Sequence, residues 1–213
     1  MKKLTIIVIG IAVFIGINVC ISKVFNRGVN DYSSTKAQTN KQIETPKAAT
    51  MEPGCMVVLN TTKGIIDFVL FEKDCPVTTS RIKKLVSQDK YANVRFPRVE
   101  DLIIQTGEAN IKMSALSLEA IDGLTNAKGT VGIAHKDGDD NSGTSALYIL
   151  KDPMPGLDGE YTIIGRIIHG MDVVMKLSKN DYIKSAKLRS FTKKDNIAYK
   201  DLLKIEAERL TEN

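Results

Sequence analysis

The chain has 213 residues, 43% of them hydrophobic, and a formal net charge of +5. That length supports one domain of ordinary size plus appendages. Basic residues alternate with acidic ones, as at Lys193-Lys194-Asp195; a nucleic-acid surface needs Arg and Lys gathered on one face, so no nucleic-acid partner is expected.

Lys2 and Lys3 precede residues 4–21, a run that carries no charge. As a helix this run is ~27 Å long, against a hydrocarbon core of ~30 Å. No small-x-small cleavage pattern follows it, and Val19 stands where a lipid-attachment site before Cys20 needs a small residue. Residues 1–22 are therefore expected to be an uncleaved signal anchor, a transmembrane helix, rather than a cleaved signal peptide. Lys2 and Lys3 favour an N-in orientation and a folded domain outside the cytoplasm; Lys23 and Arg27 leave the charge asymmetry small. Residues 23–54 are polar and lack an apolar period, which predicts a flexible tether reaching ~30 Å from the bilayer.

A compact domain is expected over residues 55–190. Residues 56–60 and 65–71 are rich in Val, Ile and Phe and read as strands joined by the turn Thr61-Thr62-Lys63-Gly64. Pro76 suits a helix first turn, and Ile82, Leu85 and Val86 give that helix one apolar face up to about Lys90. Further strands are predicted at residues 96–99, 102–106, 130–134, 145–150, 162–168 and 182–188, with a short helix at 171–178. Residues 113–127 read as a loop with a turn of helix. Many short strands and few helices indicate an all-β barrel or sandwich. Residues 191–213 form a C-terminal extension; from Asp195, a candidate cap, to Leu210 the pattern is helical, with Ile197, Leu202, Leu203 and Ile205 as apolar contacts.

Several blocks occur in one order: the opening hairpin with Gly64, Asp74-Cys75-Pro76-Val77-Thr78, Phe96-x-Arg98-Val99, Gln105-x-Gly107, Gly129-Thr130-Val131-Gly132-Ile133-Ala134, and Leu157-Asp158-Gly159 running on to Val174. In that order and spacing the chain resembles the cyclophilin-type peptidyl-prolyl cis-trans isomerases. The resemblance implies a mainly β fold: a closed, eight-stranded antiparallel barrel with two capping helices and a proline-binding groove on its outer face. It implies Arg98 as the catalytic arginine and Gln105 as the residue that positions it. It implies a substrate-binding surface of Phe96, Leu102, Ile103, Ala134, His135, Ala146, Leu147, Tyr148, Leu157 and Tyr161, with no cofactor and no metal.

The chain departs from the family pattern at several of these places. Pro97 stands where histidine is usual, and the stretch from Phe96 to Gln105 is one residue short. Leu102 and Tyr148 replace pocket phenylalanines, Ala146 replaces a glutamine, Tyr161 replaces a histidine, and Gly156 replaces a bulky residue. The connection between Glu108 and Lys128 lacks the glycine-rich stretch that borders the family's groove. These changes trim apolar contact with a proline ring by ~1 kcal/mol per replaced phenylalanine. The expected function is prolyl isomerisation assisting extracytoplasmic protein folding, on proline-containing unfolded or extended polypeptides, by a monomeric domain. The alternative is a membrane-tethered cyclophilin-fold binding module or chaperone with little turnover. A weaker third reading makes the C-terminal helix a docking element for an assembly partner.

Other candidates carry less. His135 has no sequence partner that would make it a base, so a backbone role is expected; His169 is expected in an exposed turn. The acidic loop at residues 137–143 lacks the glycine and glutamate spacing of a calcium loop and reads as a polar hairpin. Asn60-Thr61-Thr62 has the form of a glycosylation sequon but lies in a tight turn. The family fold brings the regions of Cys55 and Cys75 together, so an oxidising compartment would permit a disulfide; two buried thiols are the alternative.

Overall fold

The computed structural model describes residues 50–211, all within one compact unit. The expected membrane helix at 1–22 and most of the expected tether lie outside the described residues. Among the described residues no helix is long and apolar enough to cross a membrane.

The chain opens with a hairpin of β1 (Met56–Thr61) and β2 (Gly64–Leu70), turning at Thr62 and Lys63. Helix α1 (Pro76–Ser87) follows, then β3 (Arg98–Val99), β4 (Ile103–Gln105), β5 (Thr130–Ile133) and β6 (Leu147–Leu150). A 3-10 turn (Pro155–Leu157) leads to β7 (Ile163–His169), α2 (Met171–Val174), β8 (Ile183–Arg189) and α3 (Lys193–Thr211). All pairings are antiparallel, in the order β3-β4-β6-β5-β7-β2-β1-β8. The sheet curls until its two ends meet through one bridge, Arg95 to Tyr182, flanked by Asn93 N donating to Ile183 O at 2.7 Å. The expected closed barrel is thus a curled sheet tied at its seam, because β3 is only two residues long.

Alternation along each strand sorts the side chains. Val57, Leu59, Ile66, Phe68, Ile104, Val131, Leu147, Ile149 and Ile164 point inward and form the main core. Ile82, Leu85 and Val86 of α1, with Val174 of α2, plug the interior, so the two capping helices are as expected. Each fully buried Leu, Ile or Phe stabilises the fold by roughly 1.5–3 kcal/mol. Helix α1 has no cap from its own Cys75. Glu119 serves instead, accepting from Val77 N at 3.2 Å and Thr78 N at 2.8 Å, which also fastens the 107–128 connection to the body. Gly170 enters α2 at φ 90°, where a side chain would meet the Ile65 carbonyl.

A second apolar cluster lies on the outer face: Met56, Val69, Phe71, Leu124, Ile163 and Tyr199, with Phe191 and Leu203 against it. Tyr199 and Leu203 belong to α3, so the C-terminal extension packs on the sheet and is part of the body. Its cap is Thr192 rather than Asp195: Asp195 accepts from Thr192 N at 2.8 Å, and its own N–H donates to Thr192 Oγ1 at 3.3 Å. Arg189 of β8 clamps Asp195 (Nη1 to Oδ2, 2.6 Å; Nη2 to Oδ1, 2.8 Å) and reaches Asp67 of β2 at 2.8 Å. His169 is not simply exposed, since its Nε2 lies 3.2 Å from Asp195 Oδ1. Upstream, Asp74 accepts from Thr50 N (2.9 Å) and Met51 N (2.8 Å), and Tyr199 Oη donates to Met51 O at 2.6 Å, so packing begins ahead of Cys55.

No disulfide joins Cys55 and Cys75. The two sulfurs take different surroundings. Cys75 is buried with Sγ 3.1 Å from Ile163 O, while Cys55 is half-buried beside Glu72. Burial, reinforced by that carboxylate, pushes the Cys55 thiol up to about 11.

Candidate active site

The register of four strands builds one row across the outer face. Arg98 of β3 lies opposite Gln105 of β4, Gln105 opposite Tyr148 of β6, and Tyr148 opposite Gly132 of β5. Directly opposed residues share a face and sit ~4.5–5.5 Å apart. Period-2 alternation adds Ile103 and Leu150 to the same face, and these pack with Tyr148 as a third apolar cluster bordered by Met154, Leu157 and Tyr161.

Tyr148 is the floor of this surface. Its ring lies over Gly132, where a Cβ would run into it, so glycine at that position makes room for the tyrosine. Its buried hydroxyl donates to Asn126 Oδ1 at 2.7 Å, and Asn126 Nδ2 donates to Asp158 Oδ1 at 2.9 Å. Burial, with Tyr161 next in weight, pushes the Tyr148 hydroxyl far above its ordinary range, so it stays a neutral donor. Tyr161 meets Tyr148 edge-on at 5.7 Å and stacks on His135 at 4.0 Å. The His135 ring is held at both nitrogens, by Lys136 O and Glu160 O at 2.9 Å each. A three-ring wall therefore borders the row, with Tyr161 half-buried.

Arg98 stands at the other end with its side chain 48% exposed. Its Nε and Nη2 donate to the two carboxylate oxygens of Glu100 at 2.8 and 2.9 Å. Among the described residues Glu100 is the only hydrogen-bond acceptor of this guanidinium, and Nη1 lies outside that pair. The Glu100 carboxylate raises the Arg98 pKa, and Arg98 in turn holds the Glu100 carboxyl below its usual range. Asp137 and Tyr161 also lie within electrostatic reach of Arg98. Gln105 is half-buried and makes no side-chain hydrogen bond among the described residues, so its amide is available to a peptide.

Several expected site residues lie elsewhere. Phe96 and Leu147 lie in the main core and are buried: alternation along β6 sets Leu147 on the face opposite Tyr148, whereas Phe96 lies ahead of the two-residue β3 and turns into the core. Leu102 sits at the tip of the β3–β4 turn and is 45% exposed. Ala146 is buried, and its carbonyl accepts from Ala134 N at 2.9 Å, so this backbone pair is occupied within the fold. Ile103, Tyr148, Leu157, Tyr161, His135 and half-buried Ala134 do border the surface. Sequence reasoning missed Glu100, Asn126, Asp158 and Gly132. Only Glu100 and Gly132 left a signal: Glu100 is two residues from Arg98 and so shares its face, and Gly132 interrupts a run of large strand residues.

Comparison with known proteins agrees with this fold. The family described as cyclophilin type peptidyl-prolyl cis-trans isomerase/CLD matches residues 56–199. A probable peptidyl-prolyl cis-trans isomerase of Brucella suis is 30% identical over 154 residues, covering 64% of this chain and 77% of that protein. A peptidyl-prolyl cis-trans isomerase of Acinetobacter baylyi is 32% identical over 135 residues, covering 58% and 71%. Among solved structures, a cyclophilin type isomerase of Cryptosporidium parvum, studied with the dipeptide Ala-Pro, superposes with a TM-score of 0.58 at 24% identity, over 64% of this chain and 99% of that one. A cyclophilin of Hirschia baltica gives 0.57 at 20% identity, over 73% and 80%, and supports the fold alone. With a curled eight-stranded sheet, two plugging helices and an arginine–glutamine–aromatic row on the outer face, the chain belongs to the cyclophilin-type peptidyl-prolyl cis-trans isomerase family.

Proposed function

We propose that the Arg98–Gln105–Tyr148 row isomerises X-Pro bonds in extended or unfolded polypeptides. The observation that carries this reading is the row itself: a guanidinium with a donor to spare, an uncommitted amide and an aromatic floor, aligned by strand register. An X-Pro bond resists rotation by ~18–20 kcal/mol through amide resonance, and uncatalysed exchange takes ~10–100 s. Twisting the bond returns a lone pair to the proline nitrogen. An N–H of Arg98 aimed there stabilises the twisted state above either planar one, which is the condition for catalysis. Gln105 holds the peptide, and half-buried Tyr161 and Leu157 receive the proline ring above the buried Tyr148 and Ile103. No nucleophile and no cofactor enter the step.

The uncharged run at residues 4–21 supports a membrane-tethered enzyme, and the lysines ahead of it support an extracytoplasmic domain acting on newly translocated proteins. Protease treatment tests the side: a domain protected while the cytoplasmic membrane is sealed, and cleaved only once that membrane is permeabilised, would lie inside and refute this placement. A second reading, a prolyl-peptide binding module with little turnover, draws on Leu102 and Tyr148 standing where the family carries pocket phenylalanines. A protease-coupled isomerisation assay on the full chain separates the two. Arg98→Ala is expected to lower kcat/KM by roughly 100-fold, as for loss of a single transition-state donor. Equal rates for the two proteins would remove Arg98 as catalyst.

A further inference from the structure

We infer that Glu100, and not Gln105, is the positioning residue for Arg98. This rests on Arg98 being the catalyst, as proposed above.

Glu100 N donates to Ile103 O at 2.9 Å, closing a two-residue turn over Asp101 and Leu102. Lys151 Nζ donates to Glu100 O at 2.7 Å, and Lys151 N to Leu102 O at 2.7 Å. Both peptide groups of Glu100 are therefore held, one by β4 and one by the residue that follows β6. A carboxylate on such a backbone has few places to go. Two residues along an extended segment share a face, so Glu100 lies on the side of Arg98. The missing residue in this loop is what lets the turn close so soon after Arg98.

The side-chain geometry follows. A guanidinium presents its donors in a flat fork, and two parallel bonds to a carboxylate fix both its position and its plane. Glu100 takes the Nε–Nη2 edge. The Nη1 end then projects rigidly from the sheet on the face it shares with Gln105 and Tyr148. An arginine tied at one point would sweep a wide volume, and every orientation but one would be useless to the proline nitrogen. Gln105 lies opposite Arg98 but makes no bond to it, and so stays free for the peptide. The carboxylate also offsets part of the guanidinium's charge. With both side chains about half exposed, 48% and 53%, water screens that effect, and fixing the fork is the larger contribution.

The test is a double-mutant cycle on the full chain with Glu100→Ala, Glu100→Gln, Arg98→Ala and the Arg98→Ala/Glu100→Ala pair. Glu100→Ala is expected to lower kcat about tenfold with KM little changed. Glu100→Gln, which keeps one carbonyl acceptor, is expected to fall between. In the Arg98→Ala background, removing Glu100 is expected to change nothing further. Thermal midpoints monitor folding, and little change is expected at so exposed a side chain. A Glu100→Ala rate at or above wild type, with Arg98→Ala impaired, overturns the proposal. So does an equal loss in both backgrounds. An unimpaired Arg98→Ala instead overturns the reading of Arg98, which keeps the two failures apart.

Discussion

Two apolar patches lie on the outer face of the same curled sheet, and the chain treats them differently. Met56, Val69, Phe71 and Ile163 are roofed by α3 through Tyr199, whose ring meets Phe71 at 6.4 Å and Phe191 at 6.2 Å. Ile103, Tyr148 and Leu150 are equally buried, but among the described residues they are covered only by the short 3-10 turn that ends at Leu157, with Met154 and half-buried Tyr161. The difference extends to the charges. At the roofed patch Arg189 is consumed by two carboxylates, one of them almost fully buried. Beside this patch, open on its helix side, Arg98 is held by one exposed carboxylate and its Nη1 stays outside that pair. A helix-covered patch with a saturated arginine stabilises. A patch without a helical roof, beside an unsaturated arginine, is the one the proposed isomerisation would use.

Removing the clamp tests that division most severely. Arg189→Ala leaves the buried Asp195 and the partner oxygen of Asp67 without their cation, and is expected to destabilise the full chain by about 3 kcal/mol in urea. Isomerase kcat/KM measured well below the unfolding transition is expected to stay at wild-type level; a parallel fall would break the comparison. Acid attacks the same contact from the other partner. Arg189, and after it Thr192, holds the Asp195 carboxyl far below the ordinary carboxylate range. A depressed folded value means the stabilisation is whole above the unfolded pKa of ~3.9 and fades as pH falls from there toward the folded value. Urea midpoints at descending pH are expected to fall through that window in wild type and to fall less in Arg189→Ala. Equal slopes would show that Asp195 is not the group responsible.

The open patch gives the smallest effect. Tyr161→Ala removes the ring between Tyr148 and His135 and is expected to raise KM about tenfold, ~1.4 kcal/mol, with kcat and stability little altered. A change in urea midpoint larger than the change in KM would mean that Tyr161 belongs to the core and not to a binding wall.

The sequence made the strands readable because Val, Ile and Phe alternate cleanly, and the order of blocks led to the sheet. Arg98, Gln105 and Tyr148 fall on one face, since residues opposed by register share a face whatever surrounds them. Leu147 is next to Tyr148 in β6 and so points inward by the same rule; Phe96 lies two residues from Arg98 but ahead of the two-residue β3, outside the ladder that the rule governs, and enters the core. Leu102 lies in the two-residue β3–β4 turn, where strand alternation assigns no face. Asn126 and Asp158 come from separate loops, so no local pattern announces their meeting at Tyr148. The cap of α3 was read one turn too late because Asp195 does bond the helix start, though as the partner of Thr192.

The hold of Asp74 and Tyr199 on Thr50 and Met51 has a mechanical consequence. Tension applied to the chain ahead of Thr50 is borne first by those contacts, at the α3 side of the sheet. The β3–β4 hairpin that carries Arg98 and Glu100 is not in that line of force. A body tugged by its leading segment would strain its roof before its catalytic face.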